Sequence, residues 1–389
     1  MRAKTKTTDT YQGFEQGPIR PPSEARSLLI RITRNCPWNR CTFCPVYKGT
    51  KFSIRPVEHV KRDIDSVHEH VEMLLGVTDA SGRIPIETAR ELAGNTALED
   101  HQAFTAALHW VHAGRMKSVF LQDANSLVVK TDHLVEILTH LKSRFPSVER
   151  TTSYARSQTI ASKKEDELRA IREAGLDRIH IGLESGCDQV LAMVKKGVTK
   201  EQHILAGLKA KKAGMELSEY VMPGLGGRQL SEKHAVETAD ALNQIDPDFI
   251  RIRTLAVPPH APLFDDYQAG RFARCTDVMV AQELLTLIEG LEGITSVVKS
   301  DHILNLFDDL KGKLPDDKER MLGLLRVFLA MDPQRQRLYQ VGRRLGILRR
   351  LGDLDDPDRL AEAEKTCHML GITTENVDEI AHQLMTRYL

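Results

Sequence analysis

Three of the six cysteines in this 389-residue chain fall within nine positions, at Cys36, Cys41 and Cys44 of the segment RNCPWNRCTFCPVYKG. Thiolates are ligands for soft metals, and such clustering in a chain of this size argues for a metal centre in a reducing compartment rather than a disulfide framework. At the spacing C-x4-C-x2-C, each thiolate can hold one iron of a four-iron four-sulfur cube, which leaves the fourth iron open to a small molecule. Two other arrangements draw on the same residues. A zinc site would add His59 as a fourth ligand, although such sites are usually compact modules. A two-iron ferredoxin-type cluster would need a fourth cysteine, and the next one in sequence is the distant Cys187. Cys187, Cys275 and Cys367 stand far apart and read as small buried apolar residues.

The elements that must hold this loop follow from hydrophobic periodicity. Six runs rich in β-branched residues, LLIRIT at 28–33, SVFLQ at 118–122, VERTTSY at 148–154, RIHIGL at 178–183, LSEYVM at 217–222 and FIRIRTL at 249–255, are candidate strands. Amphipathic stretches at 131–145, 164–175, 200–214 and 232–245 separate the later ones. Repeated strand, helix, parallel strand defines an α/β fold, and six units predict a partial (β/α)6 TIM-like barrel. The cysteine loop then lies at the carboxyl end of the first strand, where α/β folds assemble their active sites.

Residues 34–117, between the first two strands, exceed one helix and two loops. VEHVKRDIDSVHEHVEMLLG reads as a helix, and a helical insertion is expected over about 78–116. Residues 1–27 are polar and broken by Gly and Pro, which suits an extended arm. The barrel is expected over 28–275 and a C-terminal extension over 276–389, forming a subdomain that is mainly helical from about 311.

With these elements in order, the sequence resembles the radical S-adenosylmethionine superfamily over roughly residues 25–270, in the branch of oxygen-independent coproporphyrinogen oxidase and the elongator-type enzymes. The commonest superfamily spacing is C-x3-C-x2-C, one residue shorter than here, but relatives share the C-P-x-N-x-C-x-F-C stretch. The resemblance implies that Cys36, Cys41 and Cys44 hold a 4Fe-4S cluster, with S-adenosylmethionine as the second cofactor. It implies that Phe43 packs near the adenine and that Asp123 receives the methionyl ammonium. SVFLQDANSL lacks the glycines that relatives have there, and an ordinary strand-end cap is the competing reading of Asp123. Ser153 in TTSYARS stands where relatives turn a carboxylate toward the cofactor. Glu184 in IHIGLESG would accept from the ribose hydroxyls, Lys196 would pair with the cofactor carboxylate, and Gly224 in YVMPGLGG would let the backbone approach the adenosyl group. The bland readings of Glu184 and Lys196 are a helix N-terminal acid and a solvated lysine.

The activity implied is reductive cleavage of S-adenosylmethionine to a 5′-deoxyadenosyl radical that abstracts hydrogen from a substrate, an oxygen-sensitive reaction of oxidoreductase or transferase type. No catalytic residue beyond the cofactor ligands is identified. His180, Tyr154, Arg156, Glu219, Arg251 and Arg253 are candidates for lining the barrel. Arg251 and Arg253, two apart on one strand face, would suit an anionic substrate if that face points inward.

The 54 basic and 54 acidic residues cancel, so no global field draws the protein to nucleic acid or anionic lipid. No apolar run reaches the length of a membrane span, and the N-terminus lacks a secretory signal core, so a cytoplasmic protein is expected. A small-molecule substrate is favoured, with a flavodoxin or ferredoxin as electron donor. A transfer-RNA-modifying role, prompted by RRLGILRR at 343–350, is the second option, and a non-catalytic zinc or iron–sulfur protein is the third.

Overall fold

The computed structural model describes residues 10–79, 83–113 and 116–387. The first nine residues of the expected arm, and 80–82 and 114–115 of the expected insertion, lie outside the described residues.

Among the described residues, ten strands form two sheets: β1 (Leu28–Arg31), β2 (Thr33–Arg34), β3 (Ser53–Ile54), β4 (Ser118–Gln122), β5 (Arg150–Ala155), β6 (Arg178–Glu184), β7 (Glu216–Val221), β8 (Phe249–Ile252), β9 (Val297–Lys299) and β10 (Gly312–Lys313). The main sheet runs β1-β4-β5-β6-β7-β8-β9-β10, and only β10 is antiparallel to its neighbour. All six strands expected from periodicity are present as consecutive parallel neighbours, joined by helical crossovers. The two-residue strands β2 and β3 form a separate ribbon that brackets the cysteine loop.

Strand alternation gives the sheet two unlike faces. Ile30, Leu121, Ile181, Leu217, Ile250 and Val298 face the surrounding helices and belong to one apolar core. The opposite face carries Phe120, Tyr154, His180 and Tyr220, with ring centroids 5.1 Å apart for Phe120 and Tyr154 and 5.6 Å for His180 and Tyr220. In register, Tyr154 stands opposite His180, and Tyr220 opposite Arg251, so Arg251 shares this inner face. Glu219 does not. It is in register with Ile181 and Ile250, on the helix side, where burial pushes its carboxyl well above the usual range.

The sheet does not stop at residue 275. Helix Asp277–Glu289 and β9 extend it, because β9 pairs parallel with β8. At three residues, β9 is too short to show periodicity. After β10, helices Lys318–Leu329, Pro333–Leu345, Pro357–Met369 and Val377–Thr386 follow. Between β3 and β4 lie helices Val57–Leu75, Ile86–Asn95 and His101–His112. The last is anchored by Trp110, 5.0 Å edge-on from Phe145.

The described part of the arm is bolted to the barrel. Gly17 N–H donates to Gln122 Oε1 at 2.9 Å, and Gln122 Nε2 returns a bond to Ile19 O at 2.6 Å. Glu24, fully buried, accepts from Ser27 at 2.6 Å and sits 3.7 Å from His180 Nε2.

Candidate cofactor site

The loop after β1 carries the three cysteines, all partly buried and none in a disulfide. Bonds from several directions fix it. Asn35 N–H donates to Asp123 Oδ2 at 2.9 Å, Trp38 Nε1 donates to Lys195 O at 2.8 Å, and Thr42 N–H donates to Val194 O at 3.0 Å. Lys48 Nζ reaches back to Asn39 O at 2.8 Å. Gly197 leaves room for the indole, since a Cβ there would lie 2.2 Å from Trp38.

Burial pushes the Cys41 and Cys44 thiols up, and the Lys196 charge opposes this at both, joined by Arg156 at Cys41 and Arg253 at Cys44. A cation-rich setting of this kind suits a group that several thiolates make negative. Among the described residues, no three Cys, His, Asp or Glu side chains converge on a point that would hold a single metal ion. His59, the candidate zinc ligand, instead packs edge-on to Tyr11 at 5.4 Å. Three thiols of one loop, with no fourth ligand and no common point, fit a cube that takes one thiolate per iron.

Beside the loop, Lys196 Nζ lies 3.0 Å from Glu184 Oε1 and 5.7 Å from the centre of the Phe43 ring. Glu184 closes β6 in the left-handed region, at φ 63°. Its Oε2 is buried without a hydrogen-bond partner. Gly182 makes this corner possible: a Cβ there would stand 2.2 Å from Glu184 Oε1 and 2.9 Å from Lys196 Nζ. Phe43 also packs against the apolar cluster of Met222, Leu225, Val190 and Cys187. Gly224, at φ 86°, turns the chain after β7, and its N–H donates to buried Glu283 at 2.7 Å. Phe43, Glu184, Lys196 and the cysteines therefore share one corner, with the Gly224 turn packed behind it.

Two expected cofactor contacts are placed elsewhere. Asp123 is fully buried, and its Oδ2 accepts from Arg31 Nη2 at 2.7 Å and Nε at 3.0 Å as well as from Asn35. Its Oδ1 lies beneath Gly17, where a Cβ would approach within 1.8 Å. Asp123 thus ties β1, the cysteine loop and the arm together and offers no open face to an ammonium. Ser153 points to the helix side with Leu121 and Ile179, and its hydroxyl donates to Leu121 O at 3.2 Å. Strand alternation gives the inner face to Tyr154 instead.

Arg156 plays a part that the sequence left open. Its guanidinium lies 4.9 Å from the Trp38 ring centre and donates to Lys196 O at 2.9 Å, so it supports the corner from beneath. Gly182 went unrecognised; its one signal was a glycine inside a strand just before a functional acid. Of the four arginines in RRLGILRR, two turn inward. Arg343 donates to Leu306 O at 2.9 Å and Asn305 O at 3.0 Å, while Arg344 is buried against Asp277 at 2.8 Å. That segment is largely a brace for the loop at 300–308, which removes half of the basic run that prompted a nucleic-acid reading.

An open parallel barrel with a three-thiol loop and a Lys–Glu corner at its carboxyl end defines a class of metal-cofactor enzymes. The radical SAM superfamily model matches residues 30–240, more than half of the chain, and the protein belongs to that superfamily. It is an enzyme of S-adenosylmethionine-dependent radical chemistry whose cofactors are a 4Fe-4S cluster and S-adenosylmethionine; members of the superfamily generally need a reductant.

The chain is 25% identical over 109 residues to a tRNA uridine(34) acetyltransferase of Methanocaldococcus infernus, a match spanning 28% of this chain and 20% of that protein. Among solved structures it is similar to N-terminally truncated Elp3 of the same archaeon, at 16% identity and a TM-score of 0.40, over 52% of each chain. It is also similar to coproporphyrinogen III oxidase of Escherichia coli, at 13% identity and a TM-score of 0.39, over 70% of this chain and 62% of that one. The chain thus spans a fifth of the curated relative and about half of the Elp3 structure. Among the described residues, no helix is long and apolar enough to cross a membrane.

Proposed function

We propose that Cys36, Cys41 and Cys44 ligate the cluster and that the adjoining corner binds S-adenosylmethionine, so that hydrogen is abstracted from a small-molecule substrate at the barrel mouth. When bound, the cluster and S-adenosylmethionine supply a 5′-deoxyadenosyl radical. The chain supplies recognition. Glu184 offers its unpartnered Oε2 to the ribose hydroxyls, while Oε1 keeps Lys196 in position. Lys196, with three donors and one of them on Glu184, retains two for the cofactor carboxylate. Phe43 would cover one side of the adenine, with the Gly224 turn and its apolar neighbours Met222 and Leu225 packed behind it. The aromatic inner face, Phe120, Tyr154 and Tyr220, shields the reacting centre from water. A flavodoxin or ferredoxin would deliver the electron at the cysteine loop, where Arg40 is exposed.

The observation that carries this reading is the packing of the Glu184–Lys196 pair and Phe43 beside the cysteine loop. Anaerobic purification tests it. A brown protein that converts S-adenosylmethionine to 5′-deoxyadenosine under reduction is expected, and Cys41→Ala should lose both the colour and the cleavage. A colourless wild-type protein carrying one zinc would overturn it.

A further inference from the structure

Two cations of β8 and its extension rim the inner face, and their situations differ. Arg251 is buried and spent: its Nε donates to Ser218 Oγ at 3.1 Å, and its Nη1 is paired with Asp301. Arg253 is exposed, and its side chain makes no hydrogen bond or ion pair with the described residues. Yet it is not remote. Its backbone N–H donates to Val221 O at 2.9 Å, continuing the pairing of β8 with β7, and strand alternation puts its side chain on the same inner side as Arg251 and Tyr220, at the carboxyl end of the barrel.

The floor beneath it carries buried polar atoms without hydrogen-bond partners, the Tyr220 hydroxyl, the Thr152 hydroxyl and His180 Nδ1, whereas His180 Nε2 faces Glu24 at 3.7 Å. Unsatisfied groups of this kind each cost stability unless something else meets them. His302, in the loop after β9, has its pKa pushed down to about 4 by burial, with Arg253 adding to the effect, and is uncharged at neutral pH. The rim is itself held in place. Asn305 takes Thr254 N–H at 2.9 Å and donates to Ile252 O at 2.8 Å, while Arg343 and Tyr339 grip the carbonyl of Leu306 from helix Pro333–Leu345. The C-terminal helices thus fix a loop whose Asp301 neutralises one arginine and leaves the other free.

We propose that the substrate bears a carboxylate that docks on the Arg253 guanidinium, with its body lying over Tyr154 and Tyr220. This rests on the radical reading above and adds the substrate class to it. The planar guanidinium presents two parallel donors that match a carboxylate edge. A dianionic phosphate is disfavoured relative to a carboxylate by the negative charge of Asp301, which pairs with Arg251 two residues from Arg253 and is partly exposed. The Tyr220 and Thr152 hydroxyls receive polar groups of the substrate body, which positions it beside the cofactor corner.

The test is calorimetric titration of the anaerobically reconstituted enzyme with 3-(4-hydroxyphenyl)propionate, its primary amide and phenyl phosphate. The acid is expected to bind at least about tenfold tighter than the amide, as one charge-assisted contact would give. Phenyl phosphate should bind no more tightly than the acid. Arg253→Gln should bring acid and amide within about twofold, and Arg253→Lys should restore part of the difference. Acid and amide behaving alike on the wild type, including no binding of either, overturns the proposal. So does a preference that survives in Arg253→Gln, or tighter binding of the phosphate. The iron–sulfur absorbance of the same wild-type sample separates the two readings: its absence defeats the radical function, whereas a cluster-loaded protein that ignores the carboxylate defeats only the substrate class.

Discussion

Asp123 and Glu184 both stand at the carboxyl end of a parallel strand with a cation beside them and one buried oxygen without a hydrogen-bond partner, and there the likeness ends. Asp123 is closed on every side: three donors converge on Oδ2, and Gly17 seals Oδ1. Glu184 meets one donor, Lys196, and keeps a buried oxygen without a partner. A carboxylate held by three donors, with backbone packed over its free oxygen, is a brace, and one held by a single donor keeps its free oxygen for a donor from outside. The difference lies in how many donors hold each acid and in what covers its free oxygen, not in charge. It separates two acids that sequence patterns treat as equals.

The largest effect expected from this comparison is on folding. Asp123→Asn removes the more deeply buried of the two carboxylates paired with Arg31, the other being Glu15, and weakens the bond to the Asn35 N–H. Breaking a buried pair from one side typically costs about 3–5 kcal/mol, so denaturant unfolding should shift by that order, with the cluster loop loosened as a consequence. If Asp123→Asn left stability intact and instead weakened S-adenosylmethionine binding, Asp123 would be a receptor and the comparison would collapse.

Gly182→Ala is expected to act next, and at the other corner. The added Cβ would meet both Glu184 Oε1 and Lys196 Nζ at well under contact distance, so the pair must move. Overpacking of this sort costs about 1–3 kcal/mol. Here the loss should divide between stability and cofactor affinity, because the displaced atoms are the proposed cofactor contacts. Calorimetry with S-adenosylmethionine alongside thermal unfolding would apportion it, and a purely thermal effect would mean that the corner binds nothing.

What could be read from the sequence follows physical lines. The six strands of the barrel were legible because each is long enough, and rich enough in β-branched residues, to show its period, as β4 and β6 do. β9 and β10 were not, because three and two residues carry no period and their pairing is decided by the loop that Arg343 and Asn305 hold. Glu184, Lys196 and Phe43 were legible from motif order and do come together. Asp123 and Ser153 were expected at the same cofactor but are engaged elsewhere. A motif gives a residue's station on a strand, whereas its face and its partners depend on register and on distant groups such as Arg31 and Gly17. The second acidic station looked like the first for this reason.

Glu184→Gln makes the sharpest comparison with Asp123→Asn, being the same chemical change at the other strand end. The amide is nearly isosteric and its carbonyl oxygen still accepts from Lys196, but the ion pair is lost, so stability should fall by about 1 kcal/mol, less than at Asp123, where the guanidinium makes two bonds. What disappears is a charged acceptor for two hydroxyls, since the replacing NH2 donates and cannot accept. Hydrogen bonds to a charged group are worth about 1.5–3 kcal/mol, against about 1 kcal/mol for a neutral one, so affinity for S-adenosylmethionine should fall roughly tenfold, a larger effect than the loss of stability. The two variants would then differ in emphasis, one acting mainly on stability with secondary effects on binding and the other mainly on binding. Repeating the titration with a 2′,3′-dideoxy analogue of the cofactor tests the cause: wild type and Glu184→Gln should bind it equally, because the hydroxyls that distinguish them are gone. A persistent tenfold gap would assign Glu184 to some other part of the cofactor, and its free oxygen would have to be explained by a different donor.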